Sequence, residues 1–244
     1  MFRNVALLSL CALTPACVIS VGSDVRVDGV DLEEKHSESL SLAGLEAQGL
    51  VVDASFGDVT IEPTSGPSHA VGVVYEVEPG DAYLAYVDGR VESRSHSGEP
   101  TALGHLHIFV HGPLPSLDAS TGAGSIELRE IDVLGDCTVS TGSGDVRIAD
   151  TSSSGTIRCS TGLGDVVLRG VGAGELHLES GMGDVSLHHV EADKAELGAG
   201  MGDIELHRSA FDHLDADTGM GDIDVRDTSY RAGGLDTGFG SVHR

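Results

Sequence analysis

The chain has 244 residues, with 14 Lys and Arg against 39 Asp and Glu, and its formal charge is −25 at pH 7. This balance excludes a nucleic-acid binder and a basic membrane-binding patch, because phosphate backbones and anionic lipids are bound by Lys and Arg. The 34 Gly, the lack of Trp and the few aromatics (5 Phe, 4 Tyr) favour thin, repetitive β-structure over an α/β enzyme with a thick core.

Residues 1–16 are typical of an export signal peptide. Arg3 supplies the positive charge, and the apolar run over residues 5–13 is too short to span a bilayer. No later apolar stretch approaches 18 residues, so the sequence predicts no other membrane-spanning segment. We therefore expect an exported protein.

The end of this segment, Leu13-Thr14-Pro15-Ala16-Cys17, resembles the lipobox of bacterial lipoproteins, although Thr14 stands where that family prefers Leu. The resemblance implies lipid attachment at Cys17. Since Val18 follows, it also implies sorting to the outer membrane if the host is Gram-negative. The alternative is ordinary cleavage after Ala16, which leaves Cys17 as a free thiol.

A short motif, Gly-x-Gly-Asp/Ser-Val/Ile, repeats along the chain. Its second glycine falls at Gly124, Gly144, Gly164, Gly183, Gly202, Gly221 and Gly240, so the intervals are 20, 20 and then 19 residues. An earlier copy is Ser55-Phe56-Gly57-Asp58-Val59. A regular period of this length is typical of a repeat architecture.

Apolar residues alternate on both sides of each glycine turn. In one repeat these residues are Leu176 and Leu178 before the turn and Val185 and Leu187 after it, and the other copies follow the same pattern. Two short strands per repeat can bury such columns only by stacking on their equivalents. The sequence therefore predicts an all-β, single-chain β-solenoid with coils of 19–20 residues. A weaker third set is expected to close each coil: Ile131, Val171, Val190 and Phe211.

The repeats suggest a division of the chain after the signal peptide. Residues 17–48 are predicted to be a lipidated N-terminus and an acidic flexible tether. Residues 49–116 hold the first coil and inserted β-strands, with residues 68–111 placed between that coil and the regular stack. Residues 117–244 form the regular solenoid.

The segment Leu106-His107-Ile108-Phe109-Val110-His111-Gly112-Pro113 is followed by Leu117-Asp118-Ala119-Ser120-Thr121-Gly122-Ala123-Gly124-Ser125-Ile126 and by further Ser/Thr-Gly-x-Gly-Asp-Val repeats. Over residues 49–244 this resembles the bacterial β-strand-repeat family called putative adhesin, a domain of unknown function. The resemblance implies the repeat fold. It implies no catalytic residues, because the family has no agreed enzymatic role.

Asp217-Thr218-Gly219 and Asp236-Thr237-Gly238 both spell the aspartic-protease signature. Two carboxylates that share a proton would be the chemistry needed. The triplets lie 19 residues apart in one repeat, whereas such proteases bring them from separate lobes or subunits. We therefore interpret them as repeat positions.

The Asp after each turn forms a predicted column: Asp145, Asp165, Asp184, Asp203 and Asp222. The simplest interpretation is that these carboxylates accept backbone N–H groups at the turns. A calcium site at Asp184, Asp203 and Asp222 is the alternative, since calcium would relieve their repulsion. A parallel basic column, including Arg129, Arg169 and Arg226, is expected to offset the acid column.

Two further groups of residues could carry chemistry. His188 and His207 are expected to touch, whereas His189 points the other way, so a metal site would lack a third ligand. Cys137 and Cys159 are inward but two residues out of register, which predicts buried free thiols rather than a disulfide.

The residue between the two glycines becomes apolar toward the C-terminus: Leu163, Met182, Met201, Met220 and Phe239. The favoured interpretation is a corner of the core. The alternative is an exposed stripe that binds a partner.

These patterns predict a non-enzymatic, lipid-anchored protein of the cell envelope, facing the periplasm or the cell surface. It would present a repetitive surface to an unidentified envelope protein or glycan, without a cofactor and without binding nucleic acid. Two alternatives stay open. One is an envelope enzyme that acts on polysaccharide through ladder carboxylates, and the other is a calcium- or pH-responsive structural element.

The last motif, over residues 238–244, is expected to leave unpaired backbone groups at the edge of the stack. This end is predicted to be either frayed or covered by a partner strand, including one from a second copy of the chain. Arg244 stands where earlier coils place Leu or Val.

Overall fold

The computed structural model describes residues 18–21, 24–27 and 30–244. The predicted signal peptide, residues 1–16, and Cys17 lie outside the described residues. Within the described ranges, no helix has the length and apolar composition needed to cross a membrane.

The chain is built almost entirely of strands. The N-terminal part comprises β1 (Val18–Val21), β2 (Asp24–Val27), β3 (Val30–Leu32), β4 (Glu34–Ser41), the helical turn α1 (Leu45–Gln48), β5 (Leu50–Ala54), β6 (Val59–Pro63), β7 (His69–Glu76), β8 (Ala82–Val87), β9 (Arg90–Ser95) and β10 (Ala102–Val110). The regular part comprises β11 (Leu117–Thr121), β12 (Ile126–Arg129), β13 (Asp132–Val133), β14 (Cys137–Ser143), β15 (Val146–Ala149), β16 (Ser152–Ser153), β17 (Thr156–Leu163), β18 (Val166–Arg169), β19 (Gly172–Met182), β20 (Val185–His188), β21 (Glu191–Met201), β22 (Ile204–His207), β23 (Ala210–Met220), β24 (Ile223–Arg226), β25 (Ser229–Phe239) and β26 (Val242–His243).

The repeats stack into two parallel sheets around one apolar core. The strand before each glycine turn belongs to a 12-stranded sheet, and the strand after the turn belongs to an 11-stranded sheet. Each coil therefore contributes one strand to each sheet, and equivalent strands of successive coils are hydrogen-bonded neighbours. This arrangement confirms the predicted β-solenoid.

The predicted core columns are buried and in register. Leu178 is fully buried and lies opposite Cys159 in the preceding coil and Leu197 in the following coil. The third set, which was expected to close the coils, is buried as well: Ile131, Val171, Val190 and Phe211. Side chains alternate in and out along each strand, so the period-two pattern was sufficient to predict the core.

The two described cysteines are buried free thiols, as predicted. Cys137 pairs with Ile157 and Cys159 pairs with Val139, so the cysteines are offset by two residues across neighbouring strands. Burial raises the pKa of the Cys137 thiol to about 12, with a smaller contribution from the charge of Asp118. A protonated, enclosed thiol is a weak nucleophile, so Cys137 acts as a core residue.

Both glycines of the turn are required because successive coils stack backbone on backbone there. Gly183 has a φ of +143°, and a Cβ at this position would lie 2.1 Å from the carbonyl oxygen of Gly164. A Cβ at Gly181 would lie 2.6 Å from the carbonyl oxygen of Gly162. Neither distance can be accommodated without moving the neighbouring coil.

A row of buried hydroxyl groups ties each turn to the coil before it. The hydroxyl donates to the carbonyl oxygen of the preceding coil's second glycine, at 2.8 Å, from Thr141, Thr161, Ser180 and Thr218. Ala199 occupies the same position as Ser180 in the next coil and has no hydroxyl to donate. One rung therefore lacks this bond.

A flexible tether was predicted over residues 17–48, but the described residues of this range are structured: β1–β3 form a three-stranded antiparallel sheet, and residues 34–48 join the main body. β4 pairs antiparallel with β7 along its whole length, and Leu42 and Leu45 are buried in the main core. β4 lies at the edge of its sheet and exposes most of its side chains, which explains its Ser- and Glu-rich composition. The composition of this segment is therefore similar to that of a linker.

The inserted strands were expected between the first coil and the regular stack, and this placement is wrong. β6 pairs with β12 on one side and with β10 on the other, while β5 lies between β11 and β9. The first coil keeps the repeat register, with Leu50 opposite Leu117, so it stacks directly on the second coil. The inserted strands cover its outer side. We call β4, α1 and β7–β10 the N-terminal cap.

The N-terminal cap contains a buried carboxylate, Glu76, which is 3% exposed. It accepts hydrogen bonds from the backbone N–H groups of Gly80 (2.9 Å) and Ala82 (2.7 Å), and His36 Nδ1 lies 3.1 Å away. Burial favours the neutral form of Glu76, but these hydrogen bonds outweigh it and lower the pKa of the carboxyl group. The ionised form therefore stabilises the cap.

At the opposite end, the last coil is open. β25 and β26 are the terminal strands of the two sheets in the described structure. Gly233 stands opposite the buried Leu214, and Leu235 is only partly buried. Apolar packing therefore decreases from the interior coils to this edge.

Candidate interaction surface

The side chains between the paired glycines form an exposed apolar row. We call Met182, Met201, Met220 and Phe239 the methionine ridge. They are direct neighbours in successive strands, and their exposed fractions are 46%, 43%, 49% and 80%. The interpretation of this column as a corner of the core is wrong. The buried hydroxyl row stands two residues before this position, whereas these four side chains are exposed to solvent.

The fold does not require apolar residues at this position. In the earlier coils the same position holds Ala123 and Ser143, and Leu163 is half-buried. The coils with Ala123 and Ser143 stack in the same register as the others. The exposed methionines and Phe239 are therefore a feature of the C-terminal coils and not a demand of the solenoid.

The aspartates after the turns form an aspartate ladder: Asp145, Asp165, Asp184, Asp203 and Asp222. Each Oδ1 accepts the backbone N–H of the equivalent residue in the next coil, at 2.7–2.9 Å. These bonds agree with the predicted turn chemistry, but the donor comes from the next coil rather than from the same turn. The N–H of Asp165 lowers the pKa of the Asp145 carboxyl, and Arg147 adds to this effect despite partial burial.

A trough of about 630 Å³ runs along the stack beside the ridge. Gly181, Gly200 and Gly219 are among the residues that line it, together with the carboxylates of Glu179, Asp217 and Asp236. We call it the glycine trough. No aromatic side chain is among its lining residues, so it offers no stacking platform for a sugar.

The two protease-like triplets lie side by side in neighbouring coils. Asp217 pairs with Asp236 across parallel strands β23 and β25. They therefore occupy one row on one surface, as the repeat interpretation expects, and do not face each other from two lobes.

The basic column does not pair with the aspartate ladder as expected. Arg129 forms an ion pair with Glu127 at 2.7 Å, and Arg226 pairs with Asp224. Both partners lie two residues earlier on the same strand, because side chains two apart share a face. The ladder carboxylate with an arginine partner is Asp145, whose Oδ2 lies 2.6 Å from Arg147.

His188 and His207 touch, as predicted, with ring centroids 5.7 Å apart and nearly perpendicular. His189 follows β20 in a left-handed turn, with a φ of 54°. Burial lowers the pKa of His188, and the charge of Arg169 adds to this. Among the described residues, no group of three or more His, Cys, Asp or Glu is placed to hold a metal ion.

Solved structures share this architecture. A putative adhesin from Bacteroides fragilis superposes with a TM-score of 0.57 at 17% identity, covering 86% of this chain and 97% of that one. A putative lipid binding protein from Parabacteroides distasonis gives 0.57 at 11% identity, covering 87% and 98%. A putative adhesin from the same species gives 0.56 at 12% identity, covering 86% and 97%. At these identities the likeness shows the fold.

A comparison with curated proteins found no match. Residues 125–233 match the family model described as Toastrack DUF4097. This segment spans five of the seven regular glycine turns, the aspartate ladder and three of the four ridge residues. Residues 125–233 are therefore similar to the Toastrack family, a domain of unknown function, and the chain has the fold of solved structures named putative adhesins.

Proposed function

We propose that this protein is exported, anchored by lipid at Cys17, and binds a macromolecular partner in the cell envelope without carrying out a reaction. The observation that carries the proposal is the methionine ridge. An exposed row of apolar side chains that the fold does not require is typical of an interaction site. The proteins of similar fold are named putative adhesins or a putative lipid binding protein, which supports a role in surface interaction.

The interaction role is tested by site-specific crosslinking. A photo-crosslinking residue placed at Met201 should give a discrete adduct with envelope fractions. The same residue at Leu134, which is 61% exposed but outside the ridge, should not. Equal products at both positions, or none at either, would contradict an interaction function of the ridge.

The anchor is tested separately. Cys17→Ser should move the protein from the membrane fraction to the soluble fraction, because two acyl chains or more are needed for stable anchoring. Cys11→Ser, within the same signal-like segment, is the matched control and should leave the protein with the membrane. Membrane association that survives in Cys17→Ser would reject lipidation.

A further inference from the structure

We propose that the methionine ridge is the docking surface for a basic amphipathic helix of a partner polypeptide. This inference rests on the proposed interaction function and adds the chemistry of the partner.

The ridge supplies the apolar contact. Its four side chains are stacked in consecutive coils, and three of them are methionine. Methionine has three rotatable bonds and a polarizable sulfur, so a methionine row can fit apolar partners of differing shape. Since Ala123 and Ser143 fill the same position in earlier coils, the apolar row is confined to one half of the stack.

The charged residues around the methionine ridge indicate the charge of its partner. The segments 160–165, 179–184, 198–203, 217–222 and 236–241, which carry the ridge and its surroundings, contain no Lys, Arg or His. Glu179, Asp217 and Asp236 line the trough before the ridge, and the aspartate ladder follows it. Within the described residues, Asp184, Asp203 and Asp222 form no ion pair. An apolar strip between two acidic rows is complementary to an apolar strip between basic residues.

The same charge argues against an anionic membrane as the occupant. Lipid surfaces that carry negative charge are repelled by two acidic rows, and the sequence offers no compensating basic residues in these segments. A polypeptide with Lys and Arg beside its apolar side chains meets no such repulsion.

Spacing favours a helix over an extended segment. Neighbouring ridge side chains are separated by about 4.8 Å, the distance between paired strands. A helix that lies along the stack presents one apolar side chain per turn of about 5.4 Å, whereas alternate residues of a strand are about 6.7 Å apart. Over three intervals, the accumulated mismatch between the partner's side chains and the ridge side chains is about 2 Å for the helix and about 6 Å for the strand. Flexible methionines can absorb the smaller mismatch.

The test uses the protein without its signal segment and a synthetic helical peptide of about 18 residues, composed of Leu and Lys with Leu confined to one face. Fluorescence anisotropy should show saturable binding. A scrambled peptide of the same composition, and a peptide with Glu in place of Lys, should each bind at least about tenfold more weakly. Equal binding of the scrambled peptide would show that binding depends on charge alone, and it would overturn the proposal.

Variants locate the site. Met182→Gln, Met201→Gln and Met220→Gln together should lower the affinity at least about tenfold, with an unchanged melting temperature because these side chains are exposed. Leu134→Gln removes an exposed apolar side chain elsewhere and should have no effect. Should the triple variant unfold, Met201→Gln alone takes its place, with a loss of about threefold expected. Unchanged affinity in the folded variants would reject the ridge as the docking surface.

The acidic rows have a matched pair of variants. Glu179→Gln with Asp217→Asn should weaken binding at low salt and flatten its salt dependence, since fewer charges then attract the peptide. Glu191→Gln with Asp193→Asn removes the same charge from exposed positions away from the ridge, so its effect should be smaller. Equal effects of the two variants would show that only net charge matters and would overturn the proposal.

The outcomes separate this inference from the proposed function. A position-specific adduct at Met201 without preference for the amphipathic peptide would keep the interaction function and reject the helical partner. Failure of both experiments would reject the interaction function itself.

Discussion

The two ends of the solenoid are finished in different ways. At the N-terminal end, β9 and β10 pair parallel with the first coil and antiparallel strands extend both sheets beyond them, and the resulting cap contributes Leu84, Leu103 and Ile108 to the core. At the C-terminal end, β25 and β26 close the sheets with mainly exposed side chains. A parallel stack must satisfy the backbone groups of its outer coils, and only the first of these two ends does so within the described structure.

The surface side chains also differ between the two ends of the solenoid. The position before the second glycine holds Ala123 and Ser143 in the second and third coils and is apolar from Leu163 onward, whereas the first coil holds Phe56 there. The covered end of the stack and the candidate interaction surface therefore lie toward opposite ends. A repeat sequence can therefore vary an outward position freely while the inward columns and the glycines stay constrained.

The largest effect is expected from comparing an inward with an outward position of one strand. Leu178→Asp would bury an unpaired carboxylate among neighbouring coils and should cost on the order of 4 kcal/mol or more. Met182→Asp, on the same strand β19 but exposed, should change the stability by less than about 0.5 kcal/mol. Thermal or denaturant unfolding measures both, and a Leu178→Asp protein that melts like the wild type would contradict the register.

The second-largest effect that we expect is a difference in local unfolding between the two ends of the solenoid. Backbone amides of residues 229–244 should exchange with solvent at least about 100-fold faster than those of β11 and β17, which corresponds to about 2.7 kcal/mol. Hydrogen exchange followed by mass spectrometry measures this. Protection that grows with protein concentration would indicate a second copy at the open edge. Strong protection in a dilute monomer would contradict the open end.

The cap depends on an ionised buried carboxylate. Glu76→Gln should lower the stability by about 1–3 kcal/mol at neutral pH, because two backbone N–H groups and His36 lose their charged partner. The folded-state pKa of Glu76 is lowered, so this contribution is fully present above the unfolded pKa of about 4.5 and is lost as the pH falls through the folded pKa.

The control for this prediction is Glu78→Gln, since Glu78 is exposed. Unfolding curves across the acid range should show the difference between wild type and Glu76→Gln disappearing at low pH. A difference that persists there would show that the charge of Glu76 is not responsible.

The buried hydroxyl row allows a pair of opposite substitutions. Thr161→Ala removes the bond to the carbonyl of Gly144 and should cost about 1 kcal/mol. Ala199→Ser adds the hydroxyl that Ser180 carries in the preceding coil and should raise the stability by about 0.5–1 kcal/mol. Denaturant unfolding of both variants measures these changes in stability. Destabilisation by Ala199→Ser would contradict the equivalence of these positions in successive coils.

The smallest effect is expected from calcium. Each ladder carboxylate already accepts a backbone N–H from the next coil, so millimolar calcium should leave the melting temperature nearly unchanged. A saturable rise in stability with calcium, absent in Asp184→Asn with Asp203→Asn, would instead support the calcium alternative through mass action. Asparagine keeps the Oδ1 acceptor, so this variant preserves the hydrogen bond while it removes the charge.

Several parts of the fold could be predicted from residues alone. The alternation around Leu176, Leu178, Val185 and Leu187 was sufficient for the core register, and the offset of the cysteines followed from the same alignment. The pairing of β4 and the position of the inserted strands could not be predicted. β4 has a polar composition because it lies at the edge of its sheet, and the composition of a strand does not encode which strand it pairs with.

The repeat, the inward columns and the glycine turns could be recognised in the sequence, because they follow from the local periods of strands and from stacking at a constant interval. Three features required the three-dimensional structure: which way the residue between the glycines points, which donor the ladder carboxylates accept, and which end of the stack is covered. Those features depend on atoms brought together from different coils, such as a ladder carboxylate and the backbone N–H of the next coil.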